Sequence, residues 1–390
     1  MDYTRAPLLF KVRKAARYVH LYGVSRTMMK VKAQYHMNRE FAVMPTASTK
    51  PLPASRLGVG LMGCGNFAYS NIAYYLRREI GDVIVGCMDT HPMRAASLCK
   101  DFTGRYYTTD AQRIIDDRDI GIVYIASNHA SHAEYAIAAL GAGKSVHVEK
   151  PHVVNMDQLR RLCVAVRDSR RPVGLGFNRP NSKLGKLVSA ALTAERQPMV
   201  MNWFVAGHEL PADHWYFREE EGGRVLGNLC HWTDFLLRLV PKERRYPIRI
   251  VPARSGQSDC NIGVNFVFGD GSVGVITFSA MGHTFEGVRE RFSAHCGNVI
   301  CHLDDFQYGT IENVSRRRTI RGRVRDHGHR EAIIGSYSAA SDSSAGAPPD
   351  VSYIWETGEL FVRTKQALEE DRVVEVGGFS NDLLSAHTPV

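Results

Sequence analysis

The sequence predicts an α/β protein with two domains, the first of which contains a doubly wound parallel sheet. The chain has 390 residues, which is more than one ordinary hydrophobic core organises. Short apolar segments alternate with helical segments between residues 57 and 177, the pattern of parallel strands joined by crossover helices. A glycine-rich turn, Gly63-Cys64-Gly65-Asn66-Phe67-Ala68, follows the first of these strands and opens a helix. A two-domain α/β fold follows from these observations.

Residues 1–54 are predicted to form a basic N-terminal arm and a linker. Residues 1–50 contain ten Lys and Arg and two acidic residues, so this part carries a balance of +8 out of a net charge of +9. Apolar side chains recur there at helical spacing, at Leu9, Val12, Ala16, Val19 and Tyr22. An amphipathic helix broken at Gly23 is expected, followed by a Pro-, Thr- and Ser-rich linker at 44–53.

Three roles of the arm stay open at this point. It packs on the protein's own body or on a sister subunit, it docks on an acidic membrane surface or an acidic protein, or it binds nucleic acid. No nucleic-acid motif is present, so no nucleic-acid partner is expected. The chain has no apolar run of about eighteen residues and no secretory signal pattern, which predicts a cytoplasmic protein. Its eight cysteines lack ligand-like spacing, so buried thiols and no metal site are expected.

The first domain, residues 55–178, is predicted to contain five strands. They lie at 57–62, 83–88, 120–126, 145–148 and 172–177. A helix is expected from about residue 66 to residue 78. Ser131-His132-Ala133-Glu134 has the form of a capping box that opens a helix ending near Gly141, and Asn155 is a further cap.

The glycine-rich turn predicts a dinucleotide site. Gly63 permits a tight turn, Gly65 lets main-chain amides approach a pyrophosphate, and Ala68 allows close helix packing. Asn66 and Phe67 complete this expected phosphate-binding segment. Asp89 ends the next predicted strand, where a carboxylate accepts hydrogen bonds from ribose hydroxyls and repels a 2′-phosphate. NAD is therefore favoured over NADP, although the nearby cation of Arg94 keeps NADP open.

The second domain, residues 179–390, is predicted to be rich in strands. Segments 261–268 and 272–279 flank Gly269-Asp270-Gly271 and form a hairpin pattern. Further strands are expected near 199–205, 248–253, 291–295 and 298–303. Residues 337–349 are predicted to be a low-complexity loop, and a helix over 351–368 is expected to return to the first domain. A basic cluster at 316–325 is either solvated or faces phosphates.

Five ordered segments resemble the glucose-fructose oxidoreductase and inositol dehydrogenase family, called Gfo/Idh/MocA. They are 63–68, 127–134, Glu149-Lys150-Pro151, 176–179 and 222–234. The resemblance implies a Rossmann domain followed by an α/β domain whose large open mixed sheet often forms a subunit interface. It therefore implies a homo-oligomer that acts on a small carbohydrate-like molecule.

The resemblance also implies roles for individual residues. Lys150 would lie beside the nicotinamide and contact the reacting hydroxyl, and His231 would be the catalytic base. Further cofactor contacts are implied at Ser127, Asn128, His129, His132 and Glu149. Substrate contacts are expected at Asn178, Arg179, His214, Trp215, Arg224, Asn228 and Asp234. A solvated lysine at position 150 and a structural His231–Asp234 pair are the competing interpretations.

The chain departs from the family pattern just before His231. Many members have an aspartate four residues before that histidine, and a subgroup of sugar-nucleotide and polysaccharide-associated members has a Gly-Glu pair. This chain has Gly227-Asn228, and an asparagine accepts no proton. The expected function is an NAD-dependent oxidoreductase that takes hydride from a secondary hydroxyl of a sugar or nucleotide-sugar-like substrate. The alternatives are an NADPH-dependent keto or imino reductase and a non-catalytic dinucleotide-binding sensor or scaffold.

Overall fold

A computed structural model describes residues 3–53, 55–254, 261–282, 285–342 and 350–384. The described residues divide into two compact units. The first is drawn from Met1–Val153, Asp157–Gly176 and His329–Val351, and the second from Val154–Met156, Phe177–Gly328 and Ser352–Val390.

The first unit contains the predicted doubly wound parallel sheet, which is confirmed. Its strands are β1 (Val59–Met62), β2 (Ile84–Met88), β3 (Tyr106–Thr108), β4 (Ile122–Ile125), β5 (Ser145–Val148) and β6 (Val173–Leu175). They pair in parallel in the order β3-β2-β1-β4-β5-β6. This order reverses direction between β1 and β4, and α/β sheets bind ligands at such a switch point.

Eight helices belong to the described part of the first unit. They are α1 (Leu8–Tyr22), α2 (Val24–Met37), α3 (Tyr74–Glu79), α4 (Pro92–Asp101), α5 (Ala111–Asp116), α6 (His129–Gly141), α7 (Met156–Ser169, of which Met156 counts with the second unit) and α10 (His329–Ser341). A π-helical segment, Ala68–Ala73, precedes α3. The predicted capping box at Ser131 is wrong, because α6 begins two residues earlier with Asn128 as its N-cap residue.

The arm forms a helical hairpin within the first unit. Gly23 separates α1 from α2 and has φ of +79°, a conformation that glycine adopts without strain. The segment after α2 runs along the same unit. The Ser48 amide donates to the Gly104 carbonyl at 2.9 Å, and the Tyr107 hydroxyl donates to the Pro45 carbonyl at 3.1 Å. The predicted linker is thus held against the sheet domain.

A late segment of the chain, α10, completes the first unit. The Tyr124 hydroxyl donates to the Ile333 carbonyl at 2.7 Å, and Ser336 lies 2.7 Å from Nδ1 of His147. The helix predicted to return to the first domain was the later one, over 351–368. That prediction is wrong, because α11 (Val351–Glu370) belongs to the second unit from Ser352 onward. Residues 337–341 of the predicted loop are helical, while 343–349 lie outside the described residues.

The second unit is built on a nine-stranded mixed sheet. Its strands are β7 (Met199–Ala206), β8 (Ile248–Arg254), β9 (Asn261–Val267), β10 (Val273–Ser279), β11 (Arg289–Cys296), β12 (Val299–Asp304), β13 (Tyr308–Asn313), β14 (Arg316–Arg321) and β15 (Val374–Val376). Their order is β14-β13-β12-β11-β7-β10-β9-β8-β15. The predicted hairpin is confirmed as β9 and β10, and the basic cluster begins on the edge strand β14.

One face of this sheet forms the core of the second unit. Helices α8 (Lys183–Ala194), α9 (Cys230–Leu239) and α11 contribute apolar side chains to the cluster on that face. Residues of β7 alternate between the two faces, so Trp203 is buried against Phe235 and Phe292 while Phe204 is 52% exposed. The opposite face is therefore open in the single chain.

Candidate active site

The ends of five parallel strands place the predicted cofactor residues at one edge of the first sheet. The register pairs are Met62 with Met88, Met62 with Ile125, Ile125 with Val148, and Val148 with Leu175. The residues that follow these strand ends include Gly63, Asp89, Ser127, Lys150 and Gly176. They come from segments far apart in the sequence, and the sheet brings them to its carboxyl edge.

The glycine-rich turn fits a bound pyrophosphate. Gly63 has φ of +89°, and a Cβ atom there would lie 2.5 Å from the carbonyl carbon of Ala126, so only glycine fits. A Cβ at Gly65 would have no atom within 4 Å, which leaves open space above the turn. The Tyr69 amide then donates to the Gly65 carbonyl at 3.0 Å and starts the helix. Asn66 and Phe67 are partly buried beside this space, and Ala68 is buried.

Asp89 lies next to the turn, as predicted for a ribose-binding acid. Its Oδ2 accepts a hydrogen bond from the Cys64 amide at 2.7 Å, and its Oδ1 accepts one from the His91 amide at 2.8 Å. Two accepted bonds leave other lone pairs of the carboxylate available. The buried negative charge thus sits where the ribose of a dinucleotide would lie in this fold.

The start of α6 and the Glu149-Lys150-Pro151 segment are joined by His132. Its Nδ1 lies 2.8 Å from the Pro151 carbonyl oxygen, and its Nε2 lies 3.2 Å from the Ser127 carbonyl oxygen. Burial lowers the pKa of His132, although both carbonyl contacts favour the protonated ring. The Ser131 hydroxyl donates to Oδ1 of Asn128 at 2.6 Å, and His129 is buried 6.0 Å from the His132 ring.

Glu149 is fixed inside the sheet edge, whereas Lys150 is partly exposed. The Glu149 carboxylate lies 3.3 Å from Nε2 of His147. A Cβ atom at Gly176 would approach Glu149 Oε2 to 2.5 Å, so glycine is needed on the neighbouring strand end. Lys150 therefore follows a residue that is held by its neighbours at the sheet edge.

The second unit holds the predicted histidine on a helix that begins with a π-helical segment, Val225–Leu229. His231 is buried at the start of α9, and its ring is nearly perpendicular to that of Phe177, with the ring centroids 6.2 Å apart. Arg224 donates to the Asn228 side-chain oxygen at 3.4 Å and to the His208 carbonyl. Arg224 and Asn228 are therefore neighbours at this segment, and His231 follows three residues later in the chain.

His214 and Trp215 lie on a separate 3-10 turn of the second unit. His214 Nδ1 accepts a hydrogen bond from the Tyr216 amide at 3.2 Å, and its ring stacks on Trp215 with centroids 5.7 Å apart. Burial and the nearby charge of Arg224 lower the pKa of His214. The turn thus lies close enough to Arg224, at the start of the helix that carries His231, for the Arg224 charge to act on His214.

Asn178 and Arg179 lie in a buried polar network. Arg179 makes a two-pronged ion pair with Glu290, at 3.1 Å and 2.7 Å, and donates to the Asn178 oxygen at 3.0 Å. The Trp232 indole also donates to Glu290 at 2.8 Å, and Asn178 donates to the His327 carbonyl at 2.7 Å. This geometry favours a structural role for both predicted substrate residues.

The Asp234 carboxylate also makes its contacts within the second unit. Its fully buried carboxylate accepts hydrogen bonds from Tyr353 at 2.7 Å and Thr357 at 3.1 Å, and pairs with Arg238 at 3.1 Å. Tyr353 and Thr357 lie on α11. Asp234 therefore fastens α9 to α11, which favours the structural interpretation over substrate binding.

Two residues of these networks were missed in the sequence. Glu290 is a buried acid on β11 that pairs with a residue 111 positions away, and no local pattern indicates that pairing. His36 of the arm is buried with its Nε2 2.7 Å from the Cys64 carbonyl oxygen, directly behind the glycine-rich turn. The signal for His36 was a lone histidine within an amphipathic helix, which is weak on its own.

Comparison with known proteins finds relatives of the segment 57–177. Residues 57–177 match the family model described as the oxidoreductase family with an NAD-binding Rossmann fold, GFO_IDH_MocA. Over 131 residues the chain is 34% identical to oxidoreductase P35 of Formosa agariphila, covering 32% of this chain and 39% of that protein. Over 150 residues it is 29% identical to inositol 2-dehydrogenase of Pseudomonas syringae, covering 37% and 45%. The chain thus spans less than half the length of these curated relatives.

The similarity in fold extends further. A solved structure of levoglucosan dehydrogenase in complex with NADH and levoglucosan matches 82% of this chain and 99% of its own, with a TM-score of 0.70 and 19% identity. Both the parallel sheet and the mixed sheet thus have counterparts in a known dehydrogenase fold. Residues 57–177, which contain the glycine-rich turn and the strand ends around it, are thus similar to the NAD-binding Rossmann fold of the GFO_IDH_MocA oxidoreductase family.

Proposed function

We propose that the protein is an NAD-dependent oxidoreductase that removes hydride from a secondary hydroxyl of a sugar or nucleotide-sugar-like substrate. The observation that carries the proposal is the sheet edge at which Gly63, Asp89, Ser127 and Lys150 meet. The names of the relatives, which act on inositol or levoglucosan, support a polyol or sugar hydroxyl.

Asp89 supports NAD over NADP. Its carboxylate holds the turn through the Cys64 amide and keeps its charge at the expected ribose position. A 2′-phosphate at that position would meet a buried negative charge. The competing cation, Arg94, lies on α4, so NADP is the alternative cofactor to test.

The chemical roles follow from the side chains. NAD, when bound, supplies the hydride acceptor. Lys150 is proposed to orient the substrate hydroxyl and to stabilise negative charge as it develops on that oxygen. His231 is proposed to accept the hydroxyl proton, since Asn228 stands where a carboxylate occurs in related sequences and accepts no proton. Arg224 and His214 are proposed to bind hydroxyl or phosphate groups of the substrate.

The proposal is tested by following reduced cofactor with NAD or NADP and a panel of polyols, sugars and nucleotide sugars. Reduction of NAD by a sugar-type alcohol is expected. The second candidate, a non-catalytic dinucleotide-binding sensor, is favoured by Gly227-Asn228 in place of a carboxylate. Calorimetric binding of NAD without turnover on any substrate, in either direction, would decide for the sensor. Turnover of keto or imino compounds with NADPH alone would decide for a reductase.

We also propose that the open face of the nine-stranded sheet joins two copies of the chain. Phe204 lies on this face between Thr277 and Arg291 of the neighbouring strands. An aromatic side chain half exposed on a broad sheet face is typical of a subunit interface. Phe204→Asp is expected to lower the mass in solution, whereas Val314→Asp, at an exposed position outside the strands, is expected to leave the mass unchanged.

A further inference from the structure

Helix α1 of the arm presents an apolar stripe to solvent. Of its fifteen described residues, Leu21 is the buried one. Leu8, Leu9, Val12 and Val19 are between 39% and 77% exposed. Their positions follow the helical repeat, so they lie along one side. Exposed apolar side chains that form one stripe are typical of a surface that binds a partner.

Helix α2 carries a second stripe of the same kind. Val24, Met28, Val31 and Tyr35 recur at spacings of three and four residues and are between 43% and 61% exposed. Val12 of α1 and Val31 and Tyr35 of α2 line one groove of about 360 Å³. The two stripes therefore border a common groove. We call the eight residues of both stripes the arm face.

The charge around the arm face has one sign. Between Leu8 and Met37 the chain has seven Lys and Arg and no Asp or Glu. Arg13, Arg17 and Lys32 are exposed at the edges of the two stripes. Exposed apolar stripes edged by cations, on two helices that contain no acidic residue of their own, fit a surface that is both anionic and apolar just beneath its charges.

The arm is mounted firmly on the first unit. Arg26 donates to the Asn71 side chain at 2.7 Å, and Arg39 pairs with Asp101 at 2.9 Å. The buried His36 anchors the end of α2. These contacts leave the arm face pointing outward on a rigid support, so its docking would fix the orientation of the first unit.

We propose that the arm face docks the protein on an anionic membrane surface. A second copy of the chain is disfavoured as the occupant, because two arms would bring fourteen cations together. With about 1.5 Å of rise per residue, α1 is about 22 Å long, shorter than the roughly 30 Å apolar core of a bilayer. Among the described helices none is long and apolar enough for a span, so α1 lies in the plane of the lipid headgroups.

The test is sedimentation of the full-length protein with vesicles of phosphatidylcholine alone or mixed with phosphatidylserine, at low and high salt. Binding is expected with the phosphatidylserine vesicles and is expected to weaken as salt rises. Leu9→Asp with Val12→Asp is expected to weaken binding at least tenfold. Arg13→Gln with Arg17→Gln is expected to weaken it about fivefold for each cation.

Two matched variants control for apolar and cationic residues elsewhere. Val314→Asp removes a valine of the second unit that is more exposed than Leu9 or Val12, and Arg316→Gln with Arg318→Gln removes two exposed cations of β14. Both variants are expected to bind like the unchanged protein. Far-ultraviolet circular dichroism verifies that every variant is folded. Equal binding to both vesicle types, no binding, or arm variants that bind normally would overturn the proposal. Loss of an oligomer in the Leu9 and Val12 variant, without vesicle binding, would show that the arm face joins two copies instead.

Discussion

The His36 side chain donates a hydrogen bond from Nε2 to the main-chain oxygen of Cys64, 2.7 Å away. A carbonyl oxygen only accepts, so Nε2 carries the proton and Nδ1 accepts from the Ser97 hydroxyl at 2.9 Å. On its other side, Cys64 donates its amide to Asp89 at 2.7 Å. The arm and Asp89 therefore hold the same residue of the glycine-rich turn.

Replacing His36 is expected to loosen this turn. His36→Ala leaves the buried Cys64 carbonyl without its donor and removes the ring that stacks on Tyr69, with centroids 4.4 Å apart. The free energy of unfolding is expected to fall by about 1–3 kcal/mol, measured by urea denaturation. Calorimetry is expected to show weaker NAD binding as well. His20→Ala, at an exposed position of α1, serves as the control and is expected to change neither quantity.

Stability is expected to fall as the solution is acidified. Burial lowers the pKa of both His36 and His132 from the ordinary value of 6.5, so the unfolded chain takes up protons first. Their contribution is fully present above pH 6.5 and is lost as pH falls from there through the lowered folded pKa values. The thermal midpoint is therefore expected to decrease between about pH 7.5 and pH 5.5. An equal decrease in His36→Gln with His132→Gln would contradict the assignment.

The charge of Asp89 is expected to decide the choice of cofactor. Asp89→Asn removes that charge, so the affinity for NAD is expected to fall by about tenfold or more. The ratio of NADP affinity to NAD affinity is expected to rise. Titration calorimetry with each cofactor measures both changes. Asp82→Asn, an exposed acid before β2, is the control. An unchanged ratio of the two affinities would remove Asp89 from the specificity role.

Lys150 is expected to act on turnover and not on cofactor affinity. Lys150→Met is expected to lower kcat by about 10²–10⁴-fold. Its NAD affinity is expected to stay close to that of the unchanged protein, because the glycine-rich turn and Asp89 are intact. Steady-state kinetics and calorimetry separate these effects, with Lys186→Met on the exposed side of α8 as the control. A variant that keeps full kcat would show that Lys150 is only a solvated charge.

The buried pair of Arg179 and Glu290 is expected to be structural. Glu290→Ala leaves a buried guanidinium without its partner, which is expected to cost about 3–5 kcal/mol. Arg179→Leu is expected to cost a similar amount, and the double variant less than the sum of both. Denaturation curves of the four proteins measure this coupling. If Arg179→Leu raised KM for the substrate without loss of stability, the original substrate-binding prediction would hold instead.

The local sequence pattern was sufficient to predict the glycine-rich turn and the strands whose residues are continuously apolar. β1, β2, β4, β5 and β6 lie within the predicted segments, since parallel strands buried on both faces read as apolar runs. β14 was not predicted, because its residues are mostly exposed arginines on a sheet edge. The π-helical segments before α3 and α9 leave no periodicity that a helix pattern distinguishes.

The candidate site was predictable only where its residues follow strand ends. Gly63, Asp89 and Lys150 could be singled out because each follows the end of a strand of one sheet. The structural contacts of Arg179 and Asp234 were not predictable, because their partners, Glu290 and Tyr353, come from distant segments. Spacing in the sequence shows which residues lie near each other along a helix. It does not show which distant residue pairs with a buried charge, because that depends on the tertiary fold.

The return of α10 to the first sheet has a consequence for biosynthesis. Tyr124 and His147 are translated early, yet their hydrogen-bonding partners Ile333 and Ser336 are translated only after residues 177–328 of the second unit. During synthesis the first unit therefore cannot form all of its contacts until the distant segment α10 has been translated. A boundary drawn after residue 178 would cut through one cooperative structure, and a shortened product made that way would expose apolar surface that α10 covers.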